Sequence, residues 1–160
     1  MPVNRFEKIR RIIHFNNNDK NKPINDPNHD KLQKLRPVID HLNEKFSSIP
    51  LDQRLSIDEK MCATKIRHFM KQYLPLKPHK WGFKLFMLCS LMGYAYKFII
   101  YSGKDNEPML ENETDVGTVG NVVIKLARAI SRRMNHIVYF DNFYTSLPLM
   151  YYMAKQRIWC

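Results

Sequence analysis

At Leu55 the spacing of apolar residues changes, and that change limits the folds open to the chain more than any other feature. Upstream the apolar positions recur every three or four residues, as on one face of a helix. From Leu55 they alternate, with Leu55 and Ile57 separated by Ser56 and Asp58, which is the period of a half-buried strand. Two longer apolar runs follow, KLFMLCSLMG and YKFIIYSG. The few residues around Met92-Gly93-Tyr94-Ala95 that separate them suit an antiparallel hairpin.

The upstream stripes predict two helices. Phe6, Ile9, Ile12 and Ile13 lie on one face of a segment from Asn4 to Phe15, where Asn4 and Glu7 have the spacing of a capping box. Leu32, Leu35, Ile39, Leu42 and Phe46 form the second stripe, with Pro37 either kinking the helix or sitting in its first turn. Between them, residues 16–30 are dense in Asn, Asp and Pro and read as a loop. The polar, acidic stretch 104–117 reads as another. Further on, Asn121 is placed to cap a helix carrying Val122, Val123, Leu126, Ile130 and Met134 on a core face, with Lys125, Arg128, Arg132 and Arg133 on a basic one. A short strand is expected over His136–Phe140, and Ser146 caps a last helix that tolerates Pro148 in its first turn. The terminal Arg157-Ile158-Trp159-Cys160 reads like the approach to another strand, so the sequence looks unfinished.

The expected order is helix, helix, three strands, helix, strand, helix. Three strands in series, then a helix and a further strand, is the order of an RNase H-like sheet, in which the first and fourth strands run side by side. In that arrangement Asp58 and Asp141 converge, since open α/β sheets form ligand sites at strand ends. Paired carboxylates there suit Mg²⁺, a hard cation that prefers oxygen and leaves positions for water and phosphate. Pattern alone favours the plainer reading, with Asp58 a surface residue and Asp141-Asn142 a loop cap.

Charge narrows the partner. With 26 Lys plus Arg against 15 Asp plus Glu, the formal charge is +11, and nucleic acid is the first candidate for so basic a chain. From Lys60 to Lys84 there are seven basic residues and no acidic one. Lys65, Arg67, Lys71, Lys77, Lys80 and Lys84 are therefore the candidate DNA contacts, with Tyr73 and Trp81 able to pack on sugar or base. Three cysteines without CxxC spacing support neither a disulfide framework nor a zinc knuckle and point to a reducing compartment. The six histidines form no metal-ligand spacing, and the hydroxyls of Ser56 and Thr145 have no evident base. No apolar run reaches the length of a membrane span, and the N-terminus lacks a signal-peptide core, so an intracellular, soluble protein without membrane contact is expected.

Several separate strings, in order, resemble the piggyBac transposase family and its domesticated relatives: Ile57-Asp58-Glu59, Lys71-Gln72-Tyr73-Leu74-Pro75, Lys77-Pro78-His79-Lys80-Trp81-Gly82 and Asp141-Asn142-Phe143-Tyr144-Thr145-Ser146. The resemblance implies an α/β fold with an incomplete RNase H-like mixed sheet and flanking helices over 51–160. Residues 1–50 then belong to a helical region for DNA binding and dimerisation. It implies catalytic, metal-holding roles for Asp58 and Asp141, with Mg²⁺ or Mn²⁺ as cofactor. Double-stranded DNA is the implied partner, as transposon ends and TTAA targets, with a homodimer and a nuclear location. The family's remaining acidic residues lie downstream of the matched segment, so this chain by itself is expected not to cut DNA. The alternative is a domesticated or truncated relative that binds DNA or a protein without cutting.

Overall fold

The computed structural model describes residues 1–27, 29–103 and 108–160. Its packing divides into two units, Met1–Glu44 and Lys45–Cys160. The first holds α1 (Val3–Ile12), a single 3-10 turn at Asn18–Lys20, and the start of α2 (Arg36–Ser47). Pro37 sits in the first turn of α2, where its missing N–H costs nothing. The Asn4–Glu7 capping box does not form, because α1 starts earlier: Pro2 occupies the cap position, no side chain caps the helix, and the Pro2 carbonyl accepts from the Arg5 and Phe6 amides at 3.1 Å. The apolar side chains Phe6, Ile9, Ile12 and Ile13 are all exposed. Before α2, Asp30 accepts a two-pronged ion pair from Arg36, each N···O 2.8 Å, and the Leu32 amide at 2.9 Å. Partial burial pushes the Asp30 carboxyl up, but these donors outweigh it and hold it below the ordinary carboxylate value. The expected loop over 16–30 is irregular apart from the 3-10 turn, with Asn28 outside the described residues.

The second unit is a five-stranded mixed sheet with helices. Its strands are β1 (Arg54–Ala63), β2 (Gln72–Tyr73), β3 (Trp81–Ser90), β4 (Ala95–Ile100) and β5 (Ile137–Phe140); α3 spans Thr118–Ala127 and α4 Leu147–Lys155. β1 runs antiparallel along the whole of β3, from Leu55↔Ser90 to Ala63↔Gly82. The opposite edge of β3 is shared: β2 pairs with Trp81 and Gly82, and β4 with the stretch from Leu85 to Cys89. The two-residue β2 is the one strand that sequence periodicity missed, being too short to show any. The β3–β4 hairpin closes as expected through Gly93, whose φ of 85° suits glycine, while the Ser90 hydroxyl accepts the Tyr94 amide.

β5 lies on the free side of β1 and parallel to it, so the first and fourth long strands are neighbours. Leu55, Ile57, Phe86, Leu88 and Val138 fill one face, where they meet Val123, Ile124 and Leu126 of α3 and Leu149 and Met153 of α4. α4 starts where expected, with the Ser146 hydroxyl accepting the Leu149 amide at 3.4 Å and Pro148 in its first turn. Trp159 makes a parallel bridge to Ile137, its carbonyl accepting the Val138 amide at 2.7 Å, so the terminal residues do enter the sheet beside β5.

α3 departs from expectation in three ways. It begins at Thr118, so Asn121 lies within the helix; its side chain instead accepts the Val116 amide at 3.0 Å and donates to Asp115 at 2.8 Å, fastening the preceding loop. Lys125 is buried at 2% exposure rather than on a solvated basic face, because the helix is covered on more than one side. The helix ends at Ala127, which leaves Met134 outside it and 64% exposed. Of the expected acidic loop, 104–107 lie outside the described residues and 108–117 have neither helix nor strand. There Glu113 receives Arg128 through two bonds of 2.8 and 2.7 Å. Those bonds, against a smaller effect of burial, hold the Glu113 carboxyl below the ordinary glutamate value, with the Leu110 amide and the Lys125 charge adding to the effect.

Candidate active site

Strand alternation sends successive side chains of β1 to opposite faces. Leu55 and Ile57 are buried under the helices, so Asp58 projects from the other face and is exposed. Across the sheet it stands opposite Met87. The parallel ladder between β1 and β5 runs to Ile57↔Phe140, and the next residue on each chain is Asp58 and Asp141. Neighbouring strands lie about 5 Å apart, so the ladder brings the two chains to within one residue of the aspartates, at the carboxyl end of β5 where open sheets form their sites, and leaves the last step to the turn after β5.

The Tyr144 hydroxyl reports the same convergence from outside the ladder. Its pKa is raised far above the ordinary tyrosine value, first by burial and the charge and hydrogen bond of Glu59, and then by the charges of both Asp58 and Asp141. The two aspartates therefore share one neighbourhood. The Asp58 carboxylate accepts the Glu59 amide at 2.7 Å, and among the described residues neither Asp58 nor Asp141 has a cationic partner within 4.0 Å. The Cys89 thiol, on the Asp58 face, is pushed up by burial and then by Asp58, which keeps it protonated and a poor nucleophile.

Glu59 points the other way. It accepts the Tyr144 hydroxyl at 3.0 Å and faces the ammonium groups of Lys77 at 3.4 Å and Lys84 at 3.9 Å. Adjacent acids thus serve opposite sides of the sheet. The basic run divides accordingly: Lys65, Arg67 and Lys80 are exposed, Lys71 lies over the Trp81 ring at 5.1 Å, and Lys77 and Lys84 are committed to Glu59. Tyr73 and Trp81 stack across β2 and β3 with ring centroids 4.8 Å apart, and both remain about half exposed. Among the described residues no group of three His, Cys, Asp or Glu side chains could hold a metal ion together; the His136 ring contacts the Asp52 carbonyl at 3.0 Å, and His68 Nδ1 accepts the Met70 amide at 3.2 Å.

Compared with known protein families, residues 1–160 match the family described as Transposase IS4. The chain belongs to that family. Human PiggyBac transposable element-derived protein 3 is 32% identical over 94% of this chain and 24% of its own length; the human derived protein 2 is 29% identical over 96% and 25%. This transposase-family chain thus spans about a quarter of the length of those relatives. Its fold matches a piggyBac transposase solved by cryo-EM in a synaptic complex with hairpin DNA, at a TM-score of 0.80 and 23% identity, over 99% of this chain and 32% of that one.

Sequence reasoning singled out Asp58 and Asp141 but missed Tyr144, which links the Asp141 turn to β1. Tyr144 stands three positions after Asp141 in the same motif used for the family resemblance, in a turn closed by its own amide donating to the Asp141 carbonyl at 2.9 Å. The visible signal was an aromatic residue inside a polar turn, but its partner Glu59 is 85 residues away and only the folded sheet reveals it.

Proposed function

We propose that this chain forms part of a piggyBac-like transposase centre in which Asp58 and Asp141 hold a divalent cation, Mg²⁺ or Mn²⁺, at double-stranded DNA. The observation that supports this reading is the β1–β5 register, which ends one residue short of two exposed carboxylates that have no cationic partner among the described residues. The donor chemistry fits: carboxylate oxygens suit a hard cation, and two exposed groups leave room for water and phosphate oxygens. When bound, such a cation supplies charge stabilisation for attacking and leaving oxygens in phosphoryl transfer. The chain's own contribution is positional. Lys65, Arg67, Lys71 and Lys80 offer cations to phosphates, and Tyr144 keeps its proton and donates a hydrogen bond to Glu59.

In the complete enzyme, water would hydrolyse one phosphodiester at the transposon end, and the released 3′ hydroxyl would then displace at the opposite strand, giving a hairpin. The hairpin is later opened and the end joined at a TTAA target. A homodimer and a nuclear location belong to the same proposal. A second reading, a derived protein that binds DNA without cutting, is supported by the likeness to human PiggyBac transposable element-derived proteins 3 and 2.

The test is Mn²⁺ binding followed by electron paramagnetic resonance, together with nicking of duplexes bearing TTAA-flanked ends. The chain is expected to bind Mn²⁺, and Asp58→Ala and Asp141→Ala to abolish binding. Little or no nicking is expected from the chain alone, since two carboxylates leave a second cation short of protein ligands. Binding that survives both substitutions would move the metal elsewhere. Nicking abolished by either substitution would show that the visible residues suffice and would refute the non-cutting reading.

A further inference from the structure

The β1–β5 ladder ends at Ile57↔Phe140, one residue before the aspartates, so backbone pairing does not fix Asp141 beside Asp58. Something else must hold the turn that carries it. Within the turn the Asp141 carbonyl accepts the Tyr144 amide at 2.9 Å and the Thr145 hydroxyl at 3.3 Å, and the Thr145 amide donates to the Asn142 carbonyl at 3.0 Å. These bonds shape the turn but tie it to nothing outside. Lys84 of β3 lies over the Phe143 ring at 5.9 Å, and the hydrogen-bonded anchor is Tyr144: its ring is 2% exposed within the main core, and its hydroxyl donates to Glu59 Oε2 at 3.0 Å. Glu59 is covalently next to Asp58 and donates its amide to the Asp58 carboxylate at 2.7 Å. The path Asp141, Tyr144, Glu59, Asp58 therefore closes on itself.

Resting on the metal reading of that pair, we propose that the Tyr144–Glu59 hydrogen bond is a positioning latch, which fastens the turn after β5 to β1 and sets the separation of Asp58 and Asp141. Lys77 faces Glu59 Oε1 at 3.4 Å and Lys84 faces Oε2, the oxygen that also accepts the Tyr144 hydroxyl, at 3.9 Å, so both carboxylate oxygens already have partners on this face. Glu59 and Tyr144 are positioning residues, not metal ligands. A hydrogen bond to a charged acceptor is one of the stronger neutral-donor contacts, and it is made here by a rigid aromatic arm already held by packing.

Tyr144→Phe removes one oxygen and keeps the ring. Two readouts are compared in the full chain: amide hydrogen exchange residue by residue, and Mn²⁺ affinity. The expected result is faster exchange at Tyr144 and Thr145 with unchanged protection in β1 and β3, and a fall of about 10-fold in Mn²⁺ affinity, the lower end of what losing the outer support of a metal site costs. Glu59→Gln keeps an acceptor for the hydroxyl and should preserve turn protection, whereas Glu59→Ala should lose it as Tyr144→Phe does. Wild-type exchange in the Tyr144→Phe turn overturns the latch, and so does acceleration spread evenly over the sheet, which marks a general packing role. If the wild-type chain binds no Mn²⁺, the metal reading falls, while the exchange data still decide whether the latch exists.

Discussion

Six basic residues were candidates for DNA contact, but the structure gives them unequal freedom, and the salt dependence of binding should expose the difference. Lys65, Arg67 and Lys80 are exposed, and among the described residues no ion pair engages them. Lys77 and Lys84 already face the Glu59 carboxylate, with side chains only 33% and 15% exposed. Each phosphate neutralised contributes about 0.9 to the slope of log affinity against log salt. Replacing Lys65, Arg67 and Lys80 together by Ala should therefore flatten the slope by about 2.7. Between about 50 and about 200 mM salt that removes about 40-fold of the affinity change. Replacing Lys77 and Lys84 should alter the slope by less than about one unit, because each contact they made would first have to break an ion pair. Fluorescence anisotropy with a labelled duplex at several salt concentrations measures both. The reasoning fails if the Lys77/Lys84 double variant, shown to be folded, flattens the slope as much as the exposed triple variant, or if the triple variant leaves it unchanged.

Two further outcomes concern stability. Gly82 lies in β3 between Ala63 of β1 and Gln72 of β2, and a Cβ there would collide with the Cys62 carbonyl oxygen and stand 2.6 Å from Met61 Sδ and 2.8 Å from the Cys62 carbonyl carbon; Gly82→Ala should cost about 3 kcal/mol, as backbone overpacking does, and an unchanged urea midpoint would contradict it. The lowered pKa of Glu113 means that its contribution to stability is present above the ordinary glutamate value and is lost as pH falls through the lower folded value. Glu113→Gln should therefore be less stable by about 2 kcal/mol at neutral pH and should lose less stability than wild type over that acidic window, which thermal melts across pH would show.

Much of the second unit could be read from the sequence because its cues are local. Strict alternation located β1, the two apolar runs with a glycine between them located the β3–β4 hairpin, and Ser146 with Pro148 marked the start of α4. The adjacency of β1 and β5 could be expected because the order of elements makes the first and fourth long strands neighbours. What escaped depends on partners distant in sequence. The burial of Lys125 depends on what covers α3, and a periodicity plot assigns a lysine to water by default. The commitment of Lys77 and Lys84 to Glu59 was invisible for the same reason: a basic run without acids looks solvated until the fold brings an acid from another strand. At α1, Asn4 and Glu7 had the right spacing, but the helix began two residues sooner and left the cap unused.

The four-residue ladder that joins β5 to β1 also bears on the order in which the molecule assembles. It is a parallel pairing whose strands are separated by the whole β3–β4 hairpin and α3, and contacts made beside it, such as Tyr144 to Glu59, bridge 85 residues of chain. A hairpin closed by a short turn forms with little loss of chain entropy, whereas a long-range parallel pairing must close a large loop before any contact rewards it. We expect the β3–β4 hairpin to form early and β5 to dock late, an order that pulse-labelled hydrogen exchange would reverse if Val138 became protected before Phe86. On that order the acidic pair is absent from partly folded chains, and any cation affinity it confers arises only in the closing step of folding.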